Sequence, residues 1–181
     1  MMKTELDILC DVTQRLKKLG IEYMLTGSLA MNFYAEPRMT RDLDIVLLLN
    51  INKIKPLIES FRDDYYISEE GISDALKHNT SFNMIHNQSI IKVDMILRKN
   101  EAYRISEFQR KQKIDLLSNE IFICAKEDLI ISKLLWAADS KSEKQKTDII
   151  NLLKTGYDAN YLQQWLKKLN LIDFYLGFIN E

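Results

Sequence analysis

The chain has 181 residues, a length that predicts one domain or one domain with a short helical appendage. Apolar residues make up 46% and charged residues 28%, which excludes long disorder, collagen and a coiled coil as the main architecture. With 25 basic and 26 acidic residues the net charge is −1, so a strongly basic nucleic-acid coat is excluded and only local basic patches remain.

In chain order, residues 4–19 read as a helix. Leu9, Val12, Leu16 and Leu19 fall on one face at helical period, Thr4 with Asp7 forms a capping box, and Gly20 ends it. Residues 21–25 read as a short strand running into Thr26-Gly27-Ser28. Residues 29–36 read as a buried helix, 36–41 as a loop broken by Pro37, and 42–49 as a strand whose apolar second half is covered on both faces. A helix over 52–61 and a short strand over 65–68 follow. Residues 81–87 and 89–97 read as a hairpin, 101–113 as a helix, and 113–125 as two more short strands.

From Lys126 the texture becomes helical. Residues 126–140 predict a strongly amphipathic helix with an acidic first turn. A second helix starts near Ser142 as its cap, with Ser140 in the loop before it, and one or two more helices close the chain. The expected organisation is an α/β (α+β) core over 1–125, a mixed twisted sheet flanked by helices, and a helical C-terminal part over 126–181. Cys10 and Cys124 are too few and too far apart for a disulfide framework or a zinc site and read as reduced core residues. Charged residues interrupt any apolar run at the N-terminus, and no stretch is long enough to span a membrane. The expectation is therefore a cytoplasmic protein with no membrane partner.

The densest chemical signal is LTGSLAMNFYAEPRMTRDLDIVLLL. Gly27-Ser28 stands between a strand and a helix, and thirteen residues separate Ser28 from Asp42. Asp42 and Asp44, two apart in a strand, project from the same face. Paired carboxylates repel and raise each other's pKa unless a cation offsets them, and an all-oxygen ligand set suits Mg²⁺ or Mn²⁺. Asp94, inside the apolar run KVDMIL, also needs a partner. It becomes a third ligand if its strand lies beside 42–49, and an ion pair with Lys92 or Arg98 is the competing use. Three carboxylates can hold two ions for in-line phosphoryl chemistry. Gly27 allows close backbone approach to a phosphate, Ser28 adds a hydroxyl at a helix start, and Arg38 and Arg41 supply positive charge.

Gly27-Ser28, the gap, Asp42-x-Asp44 and Asp94 resemble the signature of the nucleotidyltransferase superfamily with the DNA polymerase beta-like palm. The short chain is most similar to the minimal bacterial group of AbiEii- and MenT-type proteins. The resemblance to the core covers residues 21–97 and continues more weakly to about residue 155, where Lys133 and Asp148 match a helix lysine and a helix aspartate of that group. It implies an NTP substrate gripped at Gly27, Ser28, Arg41 and Lys133, with Asp148 orienting Lys133 or the acceptor. It also implies two Mg²⁺ or Mn²⁺ ions on Asp42, Asp44 and Asp94, and NMP transfer to a hydroxyl of RNA (such as a tRNA end), protein or a small molecule.

Two other functions stay open. One is a non-catalytic regulator or toxin–antitoxin component that binds nucleotide or an antitoxin partner, although all three acids are present. The other is a metal-dependent nuclease, although the lysine expected two residues after its strand acid is missing behind Asp94. Among the remaining candidates, the basic stretch 98–113 reads as an RNA guide or a solvated helix face, and 141–146 likewise. His78 and His86 suit surface or hairpin positions, and Trp136 and Trp165 suit the core.

Overall fold

The computed structural model describes residues 3–140 and 142–179. Helix α1 (Glu5–Lys18) opens on a complete capping box: Thr4 Oγ accepts from the Asp7 N–H while the Asp7 carboxylate accepts from the Thr4 N–H. Its last turn carries Arg15, Lys17 and Lys18 against the negative helix end, and Gly20 leaves the helix at a φ of +62°. Strand β1 (Tyr23–Thr26) then runs directly into the short helix α2 (Gly27–Met31), and β2 (Asp42–Leu47) follows a loop. Next come α3 (Ile54–Phe61), β3 (Tyr65–Ile67), α4 (Glu69–His78), β4 (Ser81–His86), β5 (Lys92–Leu97), α5 (Ala102–Gln109), β6 (Gln112–Leu116) and β7 (Asn119–Ile123). Four helices finish the described chain: α6 (Lys126–Ser140), α7 (Glu143–Leu153), α8 (Ala159–Lys168) and α9 (Ile172–Ile179).

The strands form one mixed seven-stranded sheet in the order β3-β4-β5-β2-β1-β7-β6. β2 pairs in parallel with β5 and antiparallel with β1, so the centre of the sheet joins distant parts of the chain. One face is apolar and closed: Leu43, Ile45 and Leu47 of β2 and Val93 and Met95 of β5 are fully buried. Alternation sends Asp42, Asp44 and Val46, with Asp94 and Ile96, to the other face, which is half-buried. One apolar core runs from α1 through the sheet to Leu129, Ile149 and Leu166 of the last helices.

Several local expectations change. Residues 69–78 form α4, whose signal was present in the Ser68 cap, Glu69-Glu70 and the left-handed exit at Asn79. The helix expected over 101–113 stops at Gln109, because Gln112 already pairs with Ile123 of β7. That expected over 29–36 stops at Met31. β2 ends at Leu47, and Leu48 is exposed rather than covered. α6 is not a two-faced surface helix: its first three turns are buried nearly all round, charged residues included. Ser142 holds the N-cap position of α7, Ser140 closes α6 rather than a loop, and Lys141 of the basic segment lies outside the described residues. Cys10 and Cys124 are both buried free thiols. Among the described residues no helix is long and apolar enough to cross a membrane.

Several cations of the basic stretch 98–113 are paired with acids, while Lys99 and Lys113 are exposed. Arg104 pairs with Glu107, Lys111 with Glu22 and Lys113 with Glu120. Arg110 reaches both Glu127 and Asp128 at 2.9 Å, with its guanidinium over the Tyr161 ring. Asp128 is fully buried and also accepts from Tyr161 Oη at 2.7 Å, so α5, α6 and α8 meet on one carboxylate. Arg110→Ala strands that charge, and urea unfolding should show a loss of about 3 kcal/mol. Arg110→Lys should recover only part of it, since an ammonium cannot fork to two carboxylates.

Candidate active site

The site begins where β1 meets α2. Gly27 has a φ of +68°, a left-handed conformation that a side chain resists. Space makes the same demand. A Cβ on Gly27 would sit 1.9 Å from Asp44 Oδ2, so this glycine is needed first to admit the Asp44 carboxylate. Asp44 is the register partner of Thr26 on β1 and of Asp94 on β5. Asp42 lies two residues back on the same strand face, opposite Lys92. The parallel β2–β5 pairing therefore brings together the three acids picked from the sequence.

Their electrostatics follow from this placement. Burial first, then the negative charges of Asp94 and Asp42, push the Asp44 carboxyl up to about 6. Lys92 and Lys133 offset only part of this. Lys92 Nζ lies 2.9 Å from Asp94 Oδ2, so the ion pair that competed with metal binding at the sequence level is formed. Among the described residues no three His, Cys, Asp or Glu side chains converge as they stand into a metal cage. The donor set nonetheless fits a hard divalent cation: oxygen ligands only, projecting from one face of two neighbouring strands. A side-chain rotation of Asp94 away from Lys92 is what such an ion would require.

A second cluster lies on the other side of Gly27. Asp148, in α7 and almost fully buried, accepts from Lys133 Nζ at 2.7 Å and from Arg38 Nε and Nη2, each at 2.8 Å. Lys133, in α6, also reaches Gln145 at 3.2 Å. Arg38 Nη2 donates in addition to Ser28 Oγ. Burial pushes the Asp148 carboxyl up, but the hydrogen bonds from Arg38 and Lys133 outweigh it and leave it below its ordinary value. Lys133 is held below the usual lysine range, by burial first. Arg38, at the end of the 32–37 loop, is thus the arginine that reaches the Gly-Ser turn, whereas Arg41 is exposed just ahead of β2. The signal for choosing Arg38 was absent from local spacing, since its partner Asp148 is 110 residues away.

Beside these clusters a cleft of about 600 Å³ lies between the half-buried sheet face and helices α5 and α6. Gly27, Asp44 and Lys133 line it, together with Val46 and Ile96 from the sheet and Trp136 from α6. Trp136, expected in the core, is 57% exposed, although Leu134 and Ala137 on either side of it along α6 are buried. Trp165 is half-buried, its ring edge-on to Tyr103. His86 is buried against Tyr65 rather than on the surface, but it does serve its hairpin, accepting from the Ser89 N–H. His78 is exposed beside Asp74.

No protein-family model matches the chain, and no curated protein matches it in sequence. Solved structures do match in shape. An antigenic nucleotidyltransferase-like protein from Paracoccidioides brasiliensis superposes with a TM-score of 0.57 at 19% identity, over 99% of this chain and 94% of that one. The antibiotic-resistance factor ANT(2'')-Ia gives 0.58 at 11% identity, over 99% and 98%. The lincosamide antibiotic adenylyltransferase LnuA, in its lincomycin-bound form, gives 0.55 at 13% identity, over 84% and 98%. The chain has a nucleotidyltransferase-like fold. At these identities the likeness speaks for the fold alone.

The raised Asp44 carboxyl sets a pH dependence. Unfolded, it ionises near 3.8; folded, near 6. Between those values the native state holds the extra proton, so this group's contribution to stability falls as pH rises from about 4 to about 6, and the full penalty persists above that. Asp44→Asn removes the charge and keeps the shape. Without divalent ions it should melt roughly 3–8 °C higher than the parent at pH 7.5, and the difference should vanish near pH 4.

Proposed function

We propose that the protein is a metal-dependent nucleotidyltransferase that moves an NMP from an NTP to an acceptor hydroxyl and releases pyrophosphate. The observation that carries this is the pairing of Asp44 with Asp94 in register across parallel strands, with the Gly27 backbone pressed against the Asp44 carboxylate. Carboxylates so placed repel one another unless cations accompany them. Asp44 also lines the cleft, and Lys133 lines it too.

On this reading Asp42, Asp44 and Asp94 hold two Mg²⁺ or Mn²⁺ ions, which when bound supply charge neutralisation on the triphosphate. Gly27 and Ser28 receive phosphate oxygens through backbone N–H and hydroxyl donors. Arg38 and Lys133, stored on Asp148, turn toward the triphosphate as it arrives, and Asp148 keeps both in reach. The acceptor oxygen attacks the α-phosphorus, its proton passes to an Asp94 oxygen, and the bond to the β-phosphate oxygen breaks in line. The chain's contribution is positioning and charge stabilisation rather than a covalent intermediate.

The acceptor is open among RNA, protein and small molecules. Because LnuA and ANT(2'')-Ia are antibiotic-directed, small hydroxylated compounds are the first acceptors to assay. The finer likeness to AbiEii- and MenT-type proteins, and with it an antitoxin partner, rests on the motif spacing. A 1–125 core with a 126–181 helical part remains a proposed division.

The test is transfer of label from each α-labelled NTP, with Mg²⁺ or Mn²⁺, to total RNA, cell protein or a panel of aminoglycosides and lincosamides. Label should move to one acceptor class. Asp44→Asn and Asp94→Asn should each lower the rate at least about 1000-fold with the fold intact by circular dichroism, the scale expected for losing transition-state charge stabilisation. Arg38→Ala should cost roughly 10–100-fold, mostly in NTP KM. Near-parental activity in either acid variant would overturn the assignment.

A second readout uses binding alone. Mg²⁺ at millimolar concentration should raise the Tm of the parent protein and leave that of Asp44→Asn unmoved. Equal shifts would place the ion elsewhere.

A further inference from the structure

We infer that Trp136 is the stacking platform for the nucleobase of the bound nucleotide, an inference that rests on the nucleotide-donor reading above and adds where the base lies. Lys133 and Trp136 are three residues apart on α6, so they share one face, roughly 4.5 Å apart along the axis. Both line the same cleft. Gly27, Asp44 and Lys133, which line it, are the groups assigned to phosphates. Its apolar lining comes from Val46 and Ile96 on the sheet and Leu135 and Trp136 on the helix.

A cleft that carries both the groups assigned to phosphates and an apolar lining with an indole suits the two parts of a nucleotide. The cleft's roughly 600 Å³ accommodates a nucleoside with part of its phosphate tail. Trp136 is 57% exposed, whereas Trp165 is half-buried with its ring edge-on to Tyr103. Packing does not account for the largest side chain type at this position, and an open indole face is what a base requires. The polar residues Asn79, Thr80 and Ser81 lie on the same cleft and are the groups available to read a base edge. Stacking itself is indifferent to base identity, so any preference among NTPs falls to them.

The chain holds two tryptophans, so Trp165→Phe leaves Trp136 as the only reporter. The full chain with this change is titrated, in Mg²⁺, with each NTP and with inorganic tripolyphosphate, following both tryptophan emission and heat. At least one NTP should quench emission saturably, and tripolyphosphate should compete for the site without quenching. In the otherwise unaltered chain, Trp136→Ala should weaken NTP binding about tenfold and leave tripolyphosphate binding unchanged, while Trp136→Phe should stay within about threefold of the parent. NTP binding by heat with unchanged emission, and parental affinity in Trp136→Ala, would overturn the platform and leave the donor reading standing. Quenching by an acceptor compound but by no NTP would assign the cleft to the acceptor and overturn it too. Failure of both NTPs and tripolyphosphate to bind would overturn the donor reading and the platform together.

Discussion

Like charges held in register across two parallel strands are the constraint around which this structure is arranged. Asp44 and Asp94 face each other from β2 and β5, with Asp42 two residues away, on a half-buried face of the central sheet. Such a cluster opposes folding in the absence of a cation, and the neighbouring structure is shaped to tolerate it. Gly27 gives up its side chain and an ordinary φ so that the Asp44 carboxylate fits. Lys92 holds Asp94 from the same strand. The opposite face of β2 and β5 is fully apolar, so the strands are anchored by burial despite the repulsion on their other side.

The cations around this cluster are kept on internal partners. Arg38 and Lys133 both rest on Asp148, and Arg38 bridges to Ser28. A buried carboxylate shared by two cations is costly to assemble, and its use is to fix direction: one carboxylate orients a loop residue and a helix residue toward a single turn. The second buried acid of this kind, Asp128, performs the same service for architecture, tying α5, α6 and α8 through Arg110 and Tyr161. Arg104 and Arg110 of the basic run after β5 likewise rest on acids, Glu107, Glu127 and Asp128.

Much of the candidate site was legible because its information is local. Asp42 and Asp44 share a face by strand alternation alone, the Gly-Ser turn follows a strand within six residues, and Asp94 betrays itself by sitting charged in an apolar run. Lys133 entered only through the family resemblance, since a lysine on a helix carries no local signal of its own. Arg38 could not be preferred to Arg41 locally, since its partner is 110 residues distant. Trp136 was assigned to the core by its apolar character, but beyond Leu134 only Ala137 of α6 stays buried and Trp136 borders the cleft. Helix α4 was overlooked because its apolar content is thin, and its caps carry most of the signal.

By itself the sequence determined the alternation of strands and helices, the capping of α1, the carboxylate pair on one strand and the glycine–serine turn, because each depends on residues within a few positions of one another. Only the tertiary structure decided that β5 pairs in parallel with β2 so that Asp94 meets Asp44, that Asp148 gathers Arg38 and Lys133, and that Trp136 stands open beside the cleft. Those are contacts between segments tens of residues apart, and their register is set by the burial of the opposite sheet face, a property of the assembled fold rather than of any local pattern.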